Sequence, residues 1–167
     1  MKNYELSSVV SEADIQSKAY VHWKSWMETY TGLINQSFLD TKHTLERCIE
    51  MARIDKERNI STSILAKSNG KVVGFISFGK SRENLLNTGE IYALYVLNEY
   101  HNKKIGYDLM MKAIHLLSQY KQIVLWVLKG NNQAIRFYEK IGFVFTKEEK
   151  KVILGSENIE LKMVYKQ

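Results

Sequence analysis

The sequence has no proline and only one cysteine, Cys48, among its 167 residues. A single thiol cannot close an internal disulfide, which excludes a small secreted scaffold held together by cross-links. Without proline, the turns must be made by glycine and by Asn or Asp. No apolar run reaches the length of a membrane span. The opening stretch Met1-Lys2-Asn3-Tyr4-Glu5 lacks the apolar segment of a signal peptide, so a cytoplasmic protein without a membrane partner is expected. Metal-ligand spacing is missing as well. His22, His43, His101 and His115 stand far apart, there is no HExxH, and Cys48 falls on an apolar helical stripe where a buried, inert thiol is expected. No metal is expected. The G-x-S-x-G, Walker A and G-x-G-x-x-G patterns are also absent, which removes the main support for hydrolase, P-loop and Rossmann readings.

What is present is ordinary for a globular chain, with 45% hydrophobic and 25% charged residues. One domain spanning residues 1–167 is expected, because no repeat, linker or low-complexity stretch marks a boundary. Lys and Arg number 24 against 18 Asp and Glu, a net charge of +6. A basic balance favours an anionic partner such as a phosphorylated cofactor. Lysines alternate with acids, as in Lys147-Glu148-Glu149-Lys150-Lys151, so a nucleic-acid surface is not expected.

The hydrophobic pattern reads as alternating strands and helices. Tyr4 to Val10 is a strand. Ile15, Ala19, Trp23, Trp26, Met27 and Tyr30 form a helical stripe that ends at Thr31-Gly32. Asp40 is positioned to cap a second helix with Leu45, Cys48, Ile49 and Ala52 on its apolar face. Two β-rich runs, Ser61 to Lys67 and Lys71 to Phe78, flank Asn69-Gly70, a strong hairpin signal. Gly89 to Leu97 reads as a strand, Lys104 to Gln119 as a helix, and Ile123 to Leu128 as a buried strand. Gly130-Asn131 opens a helix with Ala134, Ile135, Phe137 and Ile141 inward, and Gly142 ends it. Phe143 to Leu154 and Ile159 to Tyr165 pair around Gly155-Ser156-Glu157-Asn158. The order β-α-α-β-β-β-α-β-α-β-β gives an α/β or α+β domain with a mixed sheet.

Two segments carry the chemistry. From Glu90 to Tyr107 a strand enters a polar, basic turn and runs directly into a helix. The first turn of that helix has unpaired N–H groups and the positive end of a dipole, and Lys103 and Lys104 add charge, so a phosphate fits there. The second segment, Asn131 to Phe143, is a capped amphipathic helix in which Tyr138 is either packing or a functional phenol.

Together the two segments resemble the GNAT N-acetyltransferase superfamily. The family's cofactor loop, Q/R-x-x-G-x-G/A, aligns with His101-Asn102-Lys103-Lys104-Ile105-Gly106, in which His101 and Lys104 replace the first and central motif residues. The family's N-x-x-A-x-x-x-Y-x-x-x-G-F matches at Asn131, Ala134, Tyr138, Gly142 and Phe143. The segment Trp26 to Ile34 is similar to the W-x-x-x-Y-x-G-L-I stretch of a branch that includes spermidine/spermine acetyltransferases. The resemblance implies the GNAT fold, a mixed, mostly antiparallel central sheet with helices on both faces. It also implies acetyl-CoA as the acetyl donor and a primary amine of a small molecule as acceptor, attacked directly in a ternary complex.

The implied cofactor contacts are the backbones of Leu94 and Val96 for the pantetheine arm. The loop residues His101, Asn102, Lys103, Lys104, Ile105, Gly106 and Tyr107 would hold the pyrophosphate, and Asn131 would touch the pantetheine. Lys104 would keep the turn with a negative φ and its side chain outward. Tyr138 is the expected acid for the departing sulfur and Glu90 the expected base for the amine. Glu28 and Tyr30 are the expected acceptor contacts, with Trp23 and Trp26 as core. A non-catalytic acyl-CoA sensor and a protein or peptide acetyltransferase stay open as alternatives, as do a monomer and a homodimer.

Overall fold

The computed structural model of the protein describes residues 3–167; Met1 and Lys2, the start of the stretch read above for a signal peptide, lie outside them. The chain runs β1 (Glu5–Ser8), α1 (Glu12–Tyr30), α2 (Gln36–Lys42), α3 (Leu45–Glu57), β2 (Thr62–Ser68), β3 (Lys71–Lys80) and β4 (Thr88–Val96). A single 3-10 turn at Asn98–Tyr100 leads into α4 (Ile105–Leu116), β5 (Gln122–Leu128), α5 (Asn132–Ile141), β6 (Val144–Ile153) and β7 (Glu157–Lys166).

Local sequence explains most of these boundaries. Ser11 and Asp14 form a reciprocal capping box that starts α1. Asn69 (φ 49°) and Gly70 (φ 77°) are both left-handed, the conformation a two-residue hairpin turn between β2 and β3 demands. The Asn131 side chain accepts the Ala134 amide at 3.3 Å and so caps α5.

The strands form one sheet in the order β1-β2-β3-β4-β5-β7-β6, and among the strands of the described residues only β4 and β5 pair in parallel. Helices α1 and α3 cover one face, where Val21, Leu65, Phe75 and Leu97 are buried. Helices α4 and α5 cover the other, over Ile76, Leu109, Met110, Leu125 and Phe143. Each large apolar side chain buried this way contributes roughly 1.5–3 kcal/mol, which fixes the helices to the sheet.

Three expectations need correction. Helix α2 was not expected, and Asp40 lies inside it; Thr44 caps α3 instead, accepting the Arg47 amide at 3.3 Å. A seven-residue helix is too short to show a periodic stripe, and tertiary contact holds it in place. Leu39 is buried with Ile34 and Leu128, and a Cβ at Gly155 would lie 2.7 Å from those of Asn35 and Phe38. Gly155 also has φ +77°, so glycine alone lets the β6–β7 hairpin close against α2. On α1 the buried stripe includes Lys18 and Ser25, whereas Trp23 and Trp26 are only half-buried. Lys18 is tolerated there because Asp55 (3.1 Å) and Ser63 (2.9 Å) partner its ammonium. On α5 the buried residue is Tyr138, while Ala134, Ile135, Phe137 and Ile141 pack at the core margin.

Candidate functional site

Strands β4 and β5 pair only from Thr88 to Ile91 and from Gln122 to Leu125. Both then continue, β4 to Val96 and β5 to Leu128, each held by its outer neighbour, β3 and β7 respectively. Tyr92 is an extra residue against β3, between the Phe78–Ile91 and Ser77–Ala93 pairs, and this bulge bends β4 away from β5. The strands therefore splay apart, and a cavity of about 500 Å³ opens between them. The Leu97 amide bonds to the Val73 carbonyl on β3. Backbone groups alternate in direction along a strand, so those of Leu94 and Val96 face the gap.

The turn after β4 forms the cavity's basic end. Asn102 (φ 60°) and Lys104 (φ 63°) are both left-handed, and Lys104 caps α4 without a side-chain hydrogen bond. The expected negative φ at Lys104 is thus corrected. Lysine here adopts the conformation that the family's glycine favours. The amides of Ile105, Gly106 and Tyr107 form the first turn of α4 and have no intrahelical acceptor. Six of the seven loop residues expected at the cofactor line the cavity; Lys103 does not, and its ammonium lies over the Tyr100 ring at 4.6 Å. The Ile105 side chain is 2% exposed and belongs to the core, which leaves its backbone for binding.

His101 bridges two elements. Its Nε2 lies 2.7 Å from the Val96 carbonyl and its Nδ1 lies 3.2 Å from Gln133 Nε2 at the start of α5. Arg136 and Lys140, one turn apart on α5, line the cavity with Lys104, and no Asp or Glu does. Sequence reasoning missed Gln133, Arg136 and Lys140. The i, i+4 spacing of the two cations on the helix that follows Asn131 was the available signal.

The deep part of the cavity is phenolic. Leu94, Tyr95, Val96, Asn131, Tyr138 and Tyr30 all line it. Tyr30 lies beside Tyr95 and Asn131 in this lining, and the Trp26 indole donates to the Tyr95 hydroxyl at 2.8 Å. Burial pushes the Tyr138 hydroxyl well above the ordinary tyrosine range, and neighbouring Tyr30 pushes it further the same way. Tyr30 and Tyr95 are also raised by burial. All three phenols are therefore protonated at neutral pH.

The two carboxylates expected at the site stand outside its lining. Glu90 is 1% exposed, and both of its oxygens are held by Arg82. Glu28 accepts the Asn98 amide at 3.0 Å and ties α1 to the exit of β4. Neither lines the cavity, because Arg82 in the loop after β3 holds Glu90 and Asn98 in the 3-10 turn holds Glu28. Cys48 is buried against the His43 ring, and burial raises its thiol to about 11, so it is inert as expected. Among the described residues no cluster of three or more His, Cys, Asp or Glu could hold a metal, and no helix is long and apolar enough to cross a membrane.

An unpaired strand edge, a helix N-terminus with free amides and three cations on one mouth fit an elongated ligand that carries amides and phosphates. Comparison with known proteins agrees. The chain is 32% identical over 130 residues to an uncharacterised N-acetyltransferase, YuaI, of Bacillus subtilis, covering 75% of this chain and 72% of the relative. It is 28% identical over 143 residues to the spermidine N(1)-acetyltransferase of Thermoplasma acidophilum, covering 80% and 84%. The PaiA N-acetyltransferase of Thermoplasma acidophilum, solved with coenzyme A, superposes with a TM-score of 0.75 at 24% identity, covering 98% and 99% of the two chains. The Acetyltransferase (GNAT) family matches residues 22–143, and with this splayed sheet the chain belongs to that family as an N-acetyltransferase.

Proposed function

We propose that this protein, as a single acetyltransferase domain, moves an acetyl group from acetyl-CoA to a primary amine of a small molecule by direct attack. The observation that carries the reading is the splay between β4 and β5, with phosphate-binding groups at one end and Tyr138 in its depth. The donor supplies a thioester already activated toward amines. The amides of Ile105, Gly106 and Tyr107 hold its phosphates, with Lys104, Arg136 and Lys140 adding charge. The inward backbone groups of Leu94 and Val96 align its amide arm as an added strand. Asn131 supports that arm beside Tyr138.

Tyr138 provides a buried, protonated phenol, and a preorganised donor facing the departing sulfur stabilises the charge that develops there. No carboxylate lines the cavity to take the amine proton, so that proton leaves through water. The acceptor enters past Tyr30 on the α1 side. The likeness to a spermidine acetyltransferase supports a polyamine as one such acceptor.

The test is incubation with acetyl-CoA and a panel of amines, with release of free CoA and product mass as readouts. Acetylated amine is the expected result. CoA binding without product over a broad panel would instead make the protein an acyl-CoA sensor.

A further inference from the structure

We propose that His101 is a positioning residue that clasps the two arms of the cleft and sets its width for acyl-CoA. The purpose of the clasp rests on the acyl-CoA reading of the cleft; its existence rests on geometry alone. After Ile91 and Leu125 no strand pairing connects β4 with β5, so the sheet itself no longer fixes their separation. On the α1 side Tyr30 lines the gap beside Tyr95 on β4 and Asn131 beyond β5. His101 spans it with hydrogen bonds to both arms. Its imidazole joins Val96, the last residue of β4, to Gln133, the second residue of α5.

The bonding pattern fixes the tautomer. A carbonyl oxygen only accepts, so Nε2 carries the proton and donates it to Val96. Nδ1 then has a free lone pair and accepts from the Gln133 amide. The ring therefore links the end of the cofactor strand to the helix that carries Tyr138, five residues after Gln133. It also engages the Val96 carbonyl, which leaves the Val96 amide and both Leu94 groups for a ligand. A loose cleft would misalign these groups with the first turn of α4, because the two sets lie on opposite sides of the His101 turn.

The experiment compares the full-length protein with His101→Ala, Gln133→Ala and the double variant. Gln133 is exposed on the first turn of α5, so its replacement leaves the fold intact. Calorimetry with CoA is expected to show binding weakened about tenfold by His101→Ala and about threefold by Gln133→Ala, in line with single hydrogen bonds. The double variant is expected to match His101→Ala, since both substitutions break the same link. Nitrogen NMR of His101 is expected to show the Nε2–H tautomer, with the Nδ1 resonance shifting in Gln133→Ala. A proton on Nδ1, or fully additive losses, would overturn the clasp. If the unaltered protein binds no CoA, the reading of the cleft fails, and the tautomer and its response to Gln133→Ala still decide whether the clasp exists.

Discussion

Arg82 encloses the carboxylate of Glu90, its backbone amide 2.8 Å from one oxygen and its Nε 2.9 Å from the other. The guanidinium lies in turn over the Tyr92 ring at 4.6 Å. Arg82 thus connects the loop after β3 to the bulge at which β4 begins to leave β5. A carboxylate held in this way anchors the loop after β3 to β4, and its pairing with a guanidinium makes it a poor acceptor for an amine proton.

Glu90→Gln is accordingly expected to lower stability by about 1.5–3 kcal/mol, the range for hydrogen bonds to a charged group. The shape of the pH–rate profile should not change. Turnover in both proteins is expected to rise with pH toward the acceptor's own pKa, near 10.4 for a lysine-like amine. Thermal melts and rates between pH 6 and about 10 check this. Selective loss at neutral pH in Glu90→Gln would restore Glu90 as a base.

Tyr138→Phe keeps the aromatic contacts with Phe137 and Phe143 and removes only the hydroxyl. Turnover is expected to fall ~10²-fold, the scale of a lost donor at a developing charge, with CoA affinity nearly unchanged. Single-turnover rates and calorimetry separate the two quantities. Full activity with chemistry rate-limiting would reduce Tyr138 to a packing residue.

Lys104 holds a left-handed conformation at φ 63°, which costs a non-glycine residue on the order of 1 kcal/mol. Lys104→Gly relieves that strain and is expected to raise the melting temperature by roughly 2 °C, after part of the gain is offset by the freer unfolded chain. CoA binding should weaken a few-fold at low salt and less at high salt, where a phosphate–ammonium attraction is screened. Lys104→Ala should show the same loss of affinity without the stability gain. Equal melting temperatures for the glycine and alanine variants would argue that the turn is unstrained.

His22 is stacked on Tyr95 and edge-on to Trp26, His43 and Phe75. Burial, together with His43 and Lys18, pushes its pKa down to about 3. The unfolded chain therefore binds a proton at this residue below its ordinary value of 6.5, while the folded protein refuses it until about 3. Stability is complete above pH 6.5 and is lost progressively as pH falls through that window. His43 is shifted in the same direction, also by burial. His22→Gln should flatten the fall in melting temperature between pH 7 and 5. An unchanged slope would place the acid sensitivity elsewhere.

Much of the fold was legible because strong local signals agreed with tertiary packing. Asn69-Gly70 dictated its hairpin, and the apolar run Ile123 to Leu128 became a buried strand. The Asn131-to-Gly142 span became a helix capped at both ends. Helix α2 was invisible because seven residues hold too little periodicity, and its stability comes from a hairpin more than a hundred residues away. The loop residues other than Lys103, with Asn131, Tyr138 and Tyr30, were picked out by motif, and the structure lines one cavity with them. Glu28 and Glu90 stand outside that lining, and spacing could not show this because a carboxylate's position depends on its partners. Asn98 and Arg82 could not be assigned to them from spacing.

By itself the sequence determined the kinds of elements, their order apart from α2, and the residue types that could serve an acetyl donor, because these depend on local propensity and periodic burial. The tertiary structure decided which of those groups meet. The width of the β4–β5 gap, the phenols of Tyr30 and Tyr138 sharing one cavity, and the His101 link from Val96 to Gln133 all join distant parts of the chain. A bulge at Tyr92 and the closing of hydrogen bonds across separate elements set those distances, and neither leaves a periodic trace in the sequence.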